Sequence, residues 1–367
     1  MLEIVGEGVL SRDVGRGAYF PSVAILRDGT LLASQHVGSG LCSPDNMIEV
    51  LRSSDGGSSW VNEGSIHGGI PDDGWSYRAP VITEVLDGSL IMAATRYRLD
   101  NEEMYNPASE GLKPAQMILY RSSDRGVSWL GPEVVPNPLP ADRYVCSLSG
   151  RILLLSPQRW MYPFETWKPD GYEGPVDQKA GAIFSSDQGR TWGELAVVSD
   201  DPEEHHHYGD QMPSLLPDGR IYTLIWTRTW GTQEDRDVRN RWVVSEDQGR
   251  TWSEPQPTNL RGQLCAPIPL SDGRVAAIYN YRHEPQGVHV ALTEDLATFD
   301  TANEVVVFSA GRETMVGQAV DDFIDKHQKI AFGRPWGRQL PDGDLLVYFW
   351  CTLEEITHTR WVRLRLT

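Results

Sequence analysis

The sequence predicts an all-β fold, a six-bladed β-propeller of four-stranded blades, and three observations lead there. An eight-residue phrase recurs four times: SSDGGSSW from Ser53, SSDRGVSW from Ser122, SSDQGRTW from Ser185 and SEDQGRTW from Ser245. Pairs of apolar runs joined by an Asp-Gly turn start at Pro21, Ala79, Met212, Ala266 and Arg338, with a shorter Ser-Gly copy from Val145. These turns return about every 60 residues, room for four strands per unit. Asp-Gly between β-rich runs is the strongest short-range hairpin signal, and self-similarity on such a period marks a repeat architecture.

Each hairpin supplies the first two strands of a blade, and the phrase that follows supplies the turn between the third and fourth. The blades are expected at about 18–65, 76–135, 143–198, 210–258, 263–308 and 334–367, in one domain spanning 1–367. The sixth hairpin leaves only HTRWVRLRLT behind it, enough for one strand. Residues 2–10, LEIVGEGVL, are the expected fourth, and pairing the two ends closes the ring and removes its open edge. In the phrase itself, Asp accepts local backbone N–H bonds, Gly supplies a positive φ and Trp buries a large ring between sheets. Four copies, and a worn fifth (TEDLATF, Thr293–Phe299), cannot all be one active site, so the phrase reads as scaffold.

Composition narrows the function. The formal net charge is −18, against the basic clusters that nucleic acid and anionic membranes reward. The N-terminus, MLEIVGEGVL, has neither a basic n-region nor a long apolar core, and no stretch reaches about 18 apolar residues. The expectation is a cytoplasmic protein, or a secreted or periplasmic one had a leader been removed. Cys42, Cys146, Cys265 and Cys351 are widely spaced without a CxxC pair, which suits buried thiols better than disulfides or zinc. No cofactor and no metal are expected, and the sequence leaves room for a homo-oligomer.

Connectivity sorts residues by face. If the Asp-Gly turns and the repeated phrases share the bottom, the top is built from residues just before strand one and just after strand two. Before strand one stand Tyr19, Arg78, Tyr144, His207–Gln211, Gln263, Arg334, Trp336 and Arg338. After strand two stand His36, Arg96, Arg98, Arg159, Arg228, Arg282–Glu284 and Trp350. So many arginines converging on one axis favour an anion pocket, because guanidinium binds carboxylate or sulfate in a bidentate fork. Two long insertions, 99–116 and 309–333, also fall on top and are expected to wall that pocket; the second carries helical apolar spacing at Met315, Val316, Val320, Phe323 and Ile324.

The repeated phrases are Asp-boxes, and with six hairpins the whole chain resembles the sialidase (neuraminidase) superfamily. That resemblance implies a top-face site with three arginines on a sugar carboxylate, a Tyr nucleophile activated by a Glu, and an Asp as acid/base. Arg228, ending DGRIYTLIWTR, matches the second arginine, and Arg282 is a loose candidate for the third. Tyr19 stands in AYFP where the first arginine is expected, and Trp336 stands in RPWGRQL near the place of the nucleophile. Asp210 is the carboxylate nearest the place of the Glu, while His36 and the distant Asp45 occupy the region of the acid.

Three functions follow. A glycosidase acting on an acidic, carboxylated or sulfated saccharide needs an acid and a base; the candidates are Asp210, Asp73, Glu284 and Asp72, with Asp210 best placed. A uronate lyase or His-dependent glycosidase would use His36, His207, Tyr19 and Arg78. A carbohydrate-binding propeller would stack sugars on Trp160, Trp230 and Trp336. The substrate-binding set is Arg78, Arg96, Arg228, Arg282, Arg334, Arg338, Tyr19, Gln211 and Trp336. His205 and His207 lack a clear third ligand, so their run reads as a loop rather than a metal site.

Overall fold

A computed structural model describes residues 2–203, 205–229, 238–283, 285–310 and 331–367. Glu284, Trp230 and the apolar spacing from Met315 to Ile324 lie outside them. The architecture is a six-bladed propeller of antiparallel sheets, with one short 3-10 turn among the described residues, at Thr301–Asn303.

From the axis outward, blade one runs Gly17–Ile25, Leu31–Gly38, Met47–Ser53 and Val61–Ser65. Blade two runs Trp75–Glu84, Leu90–Arg98, Ala115–Ser122 and Leu130–Val135. Blade four runs His206–Leu215, Ile221–Thr229, Arg241–Ser245 and Gln256–Pro257, and blade five runs Gln263–Pro269, Val275–Tyr281, Gly287–Thr293 and Val305–Ser309. In blade six, Phe332–Gln339, Leu345–Leu353 and Ile356–Leu366 are completed by Leu2–Ser11, which pairs Leu2 with Leu366 and Ser11 with Thr359. The chain ends therefore close the ring as expected.

Blade three departs from the sequence reading. Ser149-Gly150 is not its hairpin turn but a break in its inner strand, between Val145–Leu148 and Leu153–Leu154. The chain turns at Leu155–Arg159, where Leu155 N–H donates to the Arg159 carbonyl at 2.9 Å, and the second strand is Trp160–Trp167. Arg159 and Trp160 accordingly stand at the bottom. Arg159 grips Glu194 at 2.7 Å, and Trp160 is buried.

The repeated turns are built alike. In blade two, Gly126 N–H donates to Ser122 Oγ at 2.8 Å, Ser128 N–H to Asp124 at 2.9 Å, and Trp129 Nε1 to the Gly126 carbonyl at 3.1 Å. Gly126 has φ 85°, and a Cβ there would lie 2.7 Å from Leu32 of blade one, so glycine serves both the turn and the contact between blades. Thr293–Phe299 repeats the turn, with Thr298 N–H on Asp295 at 2.7 Å and Phe299 buried in place of Trp. Arg125 of the blade-two box reaches Thr30 beside the blade-one Asp-Gly turn, so both kinds of turn share one face. The aliphatic core lies between the sheets, and all four cysteines are free thiols.

Candidate active site

The inner strands carry the device that shapes the opposite face. In five blades the pairing of strands one and two slips at the same place: Tyr19/Ser22, Arg78/Val81, Gly209/Met212, Gln263/Cys265 and Gly333/Trp336. Each slip holds one non-glycine residue in the left-handed region: Phe20 (φ 51°), Ala79 (51°), Asp210 (47°), Leu264 (52°) and Arg334 (46°). A bulge re-aims a side chain, and a non-glycine residue there costs about 1–2 kcal/mol, which surrounding structure must offset. Phe20, Ala79, Asp210 and Arg334 all line one pocket of about 170 Å³ at the channel mouth. That is smaller than the roughly 300–1,000 Å³ of sites for larger ligands and suits a small ring or a chain end.

Two carboxylates face this pocket. Glu165 stands on the second strand of blade three, opposite Ser147, and Asp210 opens the blade-four hairpin. The Asp210 backbone N–H donates to Glu165 Oε2 at 2.6 Å. Burial, then the charge of Asp210, pushes the Glu165 carboxyl up to about 7, against the pull of that N–H, Arg334 and Arg228. Burial also raises Asp210, opposed by Arg334, Arg228 and a hydrogen bond from Gln263. Both carboxyls are thus raised above their ordinary range and titrate together.

Three guanidinium groups line the same wall. Arg334 Nη1 lies 4.0 Å from Asp210 Oδ1, and Arg228 Nη2 donates to Gln178 Oε1 at 2.5 Å while its guanidinium covers the Trp226 ring at 4.5 Å. Arg78 and Arg334 each stand 5.3 Å from the Phe20 ring centroid. Arg78 also donates to Met104 Sδ at 2.8 Å, and no described carboxylate pairs with it. The insertion from 99 to 116 closes one side with Met104, Tyr105 and Leu112. Its ribbon, Tyr105–Asn106 against Gly111–Leu112, is moored to blade three: Asn106 and Ser109 donate to Asp170 at 2.9 and 2.8 Å, and Trp167 Nε1 to the Glu110 carbonyl at 2.8 Å.

Among the expected site residues, Arg78, Arg228, Arg334 and Asp210 meet at the pocket. Arg282 stays near, donating to Gln263 at 3.1 Å and to the Phe332 carbonyl at 2.7 Å. His207 lies across the strand pair from Arg228 but behind the lining; burial and Arg228 push it down to about 4, so it is neutral at pH 7. The remaining candidates stand elsewhere. His36 is fully buried, accepts from Ala79 N–H at 3.4 Å and donates to the Leu41 carbonyl at 3.3 Å, and burial holds it well below its ordinary range. Tyr19 packs between His36 and Trp350, leaving the pocket wall to its neighbour Phe20. Gln211 bridges the Phe164 and Gly181 carbonyls at 2.6 and 2.7 Å.

Arg338 donates to the Val23 carbonyl at 3.0 Å, joining blade six to blade one. Trp336 is buried in the channel. Arg96 is engaged by Gln116 at 2.7 Å and the Trp75 ring at 4.3 Å. Asp73 lies exposed at the rim, accepting from Tyr77 Oη at 3.0 Å, and Asp72 is likewise exposed. In the His205–His207 run, Asp201 holds His206 at 2.8 Å and Glu203 lies 3.4 Å from His205. Glu165 was missed because the blade-three turn was misplaced; its signal was the lone charge in the run WMYPFETW.

No curated protein matches the chain in sequence. The fold is similar to that of a protein of unknown function from Dyadobacter fermentans: 20% identity, 100% of this chain and 99% of that chain, TM-score 0.76. It is similar also to an α-L-arabinanase from Penicillium chrysogenum complexed with arabinobiose (14% identity, 98% of each chain, TM-score 0.64). An intramolecular trans-sialidase from Ruminococcus gnavus shares the fold at 14% identity over 99% of this chain and 96% of that one, TM-score 0.64. The propeller fold expected from the repeats is thereby supported. The model of the BNR repeat-like domain matches residues 103–315, more than half of the sequence, and the chain belongs to that family.

Proposed function

We propose that the protein is a glycoside hydrolase that removes a sugar from a short saccharide or chain end bearing a carboxylate or sulfate. The observation that carries this reading is the pairing of Glu165 with Asp210 in a pocket whose third cation, Arg78, has no described carboxylate of its own. Glycoside hydrolysis needs one protonated and one ionised carboxyl group across the scissile bond. Glu165, raised to about 7, supplies the acid, and Asp210, raised by burial against the pull of Arg334 and Arg228, supplies the base or nucleophile. Arg78 receives the anionic substituent, its fork spaced from Arg334 by the Phe20 ring. The insertion that closes one side of the pocket favours a terminal unit over the middle of a polymer.

The glycosidases among proteins of this fold lend support to the reaction class, and the residues argue for the charge of the substrate. A panel of acidic and neutral glycosides, assayed for reducing ends and for an ultraviolet-absorbing unsaturated product, tests the proposal. New reducing ends from acidic members alone are expected. An unsaturated product, or equal turnover of neutral members, overturns it.

A further inference from the structure

Beneath the pocket, the central channel holds a cation that none of the chemistry above uses. Arg151 lies in the break of the blade-three inner strand, beyond pocket-lining Leu148. Trp336 lies on the blade-six inner strand, two residues beyond pocket-lining Arg334. Blades three and six stand opposite each other in a six-bladed ring. Even so, the Arg151 guanidinium carbon is 4.3 Å from the Trp336 ring centroid, so the two meet across the axis. Arg151 is only 7% exposed, and its Nη1 and Nη2 are both buried without a hydrogen-bond partner among the described residues. The half-buried Arg338 and the buried Arg334 and Arg228 differ: Arg338 has the Val23 carbonyl, Arg334 has Asp210 and Arg228 has Gln178.

A guanidinium cannot shed its proton in a protein, so burial cannot neutralise it as it would a lysine. The Trp336 face gives one side a cation–π contact but no counter-charge. An isolated buried charge is costly unless it is paired, and here there are two parallel donors and no acceptor among the described residues. We infer that Arg151 and Trp336 form a small-anion site in the central channel, separate from the pocket above, that takes a halide such as chloride. The ion would pair with the two Nη groups and tie blades three and six together across the axis. The inference is independent of any reading of the pocket.

Crystals grown with sodium bromide at physiological ionic strength, with data collected at the bromine edge, test it directly. An anomalous peak within hydrogen-bonding distance of Arg151 Nη1 and Nη2 is expected. A peak only at Arg78 or Arg334, or a featureless channel, overturns the site. In solution, replacing sodium gluconate by sodium chloride at constant ionic strength should raise Tm by about 2 °C or more, as for any ligand that binds only the folded state. Arg151→Met should abolish that chloride-specific rise, whereas Arg78→Met should retain it; a rise surviving in Arg151→Met refutes the assignment. Should Arg151→Met fail to fold, the bromide map on the unaltered protein decides alone.

Discussion

The backbone N–H of Asp210 donates to the Glu165 carboxylate at 2.6 Å, so the residue whose charge raises Glu165 also holds it in place. The contact exists because Asp210 sits in a bulge with φ 47°, which turns its N–H away from the strand ladder. Removing either carboxyl should therefore change the other.

Asp210→Asn keeps the N–H donor and removes the charge. Activity on an acidic glycoside should fall by about two to four orders of magnitude, while the protein folds and still binds substrate. Because the Asp210 charge raises Glu165, the alkaline limb of the residual pH–rate profile should move to lower pH. An unmoved limb would show that the two carboxyls do not titrate together.

Glu165→Gln should abolish proton donation and also alter stability against pH. The folded Glu165 carboxyl holds its proton up to about 7, above the ordinary 4.5. The native state thus binds more protons between those values, and its advantage is complete below 4.5 and lost as pH rises through 7. Urea unfolding from pH 4.5 to 7.5 should show the unaltered protein losing stability relative to Glu165→Gln as pH rises. The reverse slope contradicts a raised carboxyl.

Arg78→Met should weaken binding of carboxylated or sulfated saccharides by about 2 kcal/mol or more, seen mainly in KM, with neutral analogues unaffected. Equal losses for an acidic sugar and its methyl ester would remove Arg78 from the anion-binding role.

Arg338→Leu should act on the scaffold alone. Its Nε–H bond to the Val23 carbonyl at 3.0 Å joins the last blade to the first. The orphaned carbonyl and lost contact should cost about 1–3 kcal/mol of stability with KM unchanged.

Asp124→Ala tests the repeated turn. Hydrogen bonds from the Ser128 hydroxyl and backbone hold the Asp124 carboxyl down to about 2. Its contribution is present above the ordinary 3.8 and lost as pH falls through 2, so the variant should differ least from the parent in strong acid. Near neutrality Tm should drop by about 2–4 °C, with turnover per folded molecule intact.

The ring was legible because its punctuation is chemical: Asp-Gly turns and the Ser-x-Asp-x-Gly-x-x-Trp phrase are local and recur. The site was legible only where it hung on that punctuation. Arg78, Asp210, Arg228 and Arg334 reach one pocket because their hairpins begin and end where that punctuation puts them. In blade three, Ser149-Gly150 imitates a hairpin turn but is a break in the strand, and Ser156–Arg159 turns without glycine. That displaced strand two by several residues, promoted Arg159 to the wrong face and hid Glu165. The choice of Tyr19 over Phe20 had a different cause. A left-handed bulge swaps which of two neighbours faces the axis, and no propensity of Phe announces such a backbone.

Pairing of Leu2–Ser11 with Ile356–Leu366 makes the first strand wait for the last. During synthesis blades one to five can assemble in turn, each hairpin finding neighbours already made. The opening strand has no partner until the last blade has been made, and joining it closes a loop that spans the whole propeller. The final blade therefore works as a latch. Until it shuts, the nascent ring presents two raw sheet edges to every other chain nearby, and the amides of Leu2–Ser11 should be the last to gain protection in pulsed hydrogen exchange.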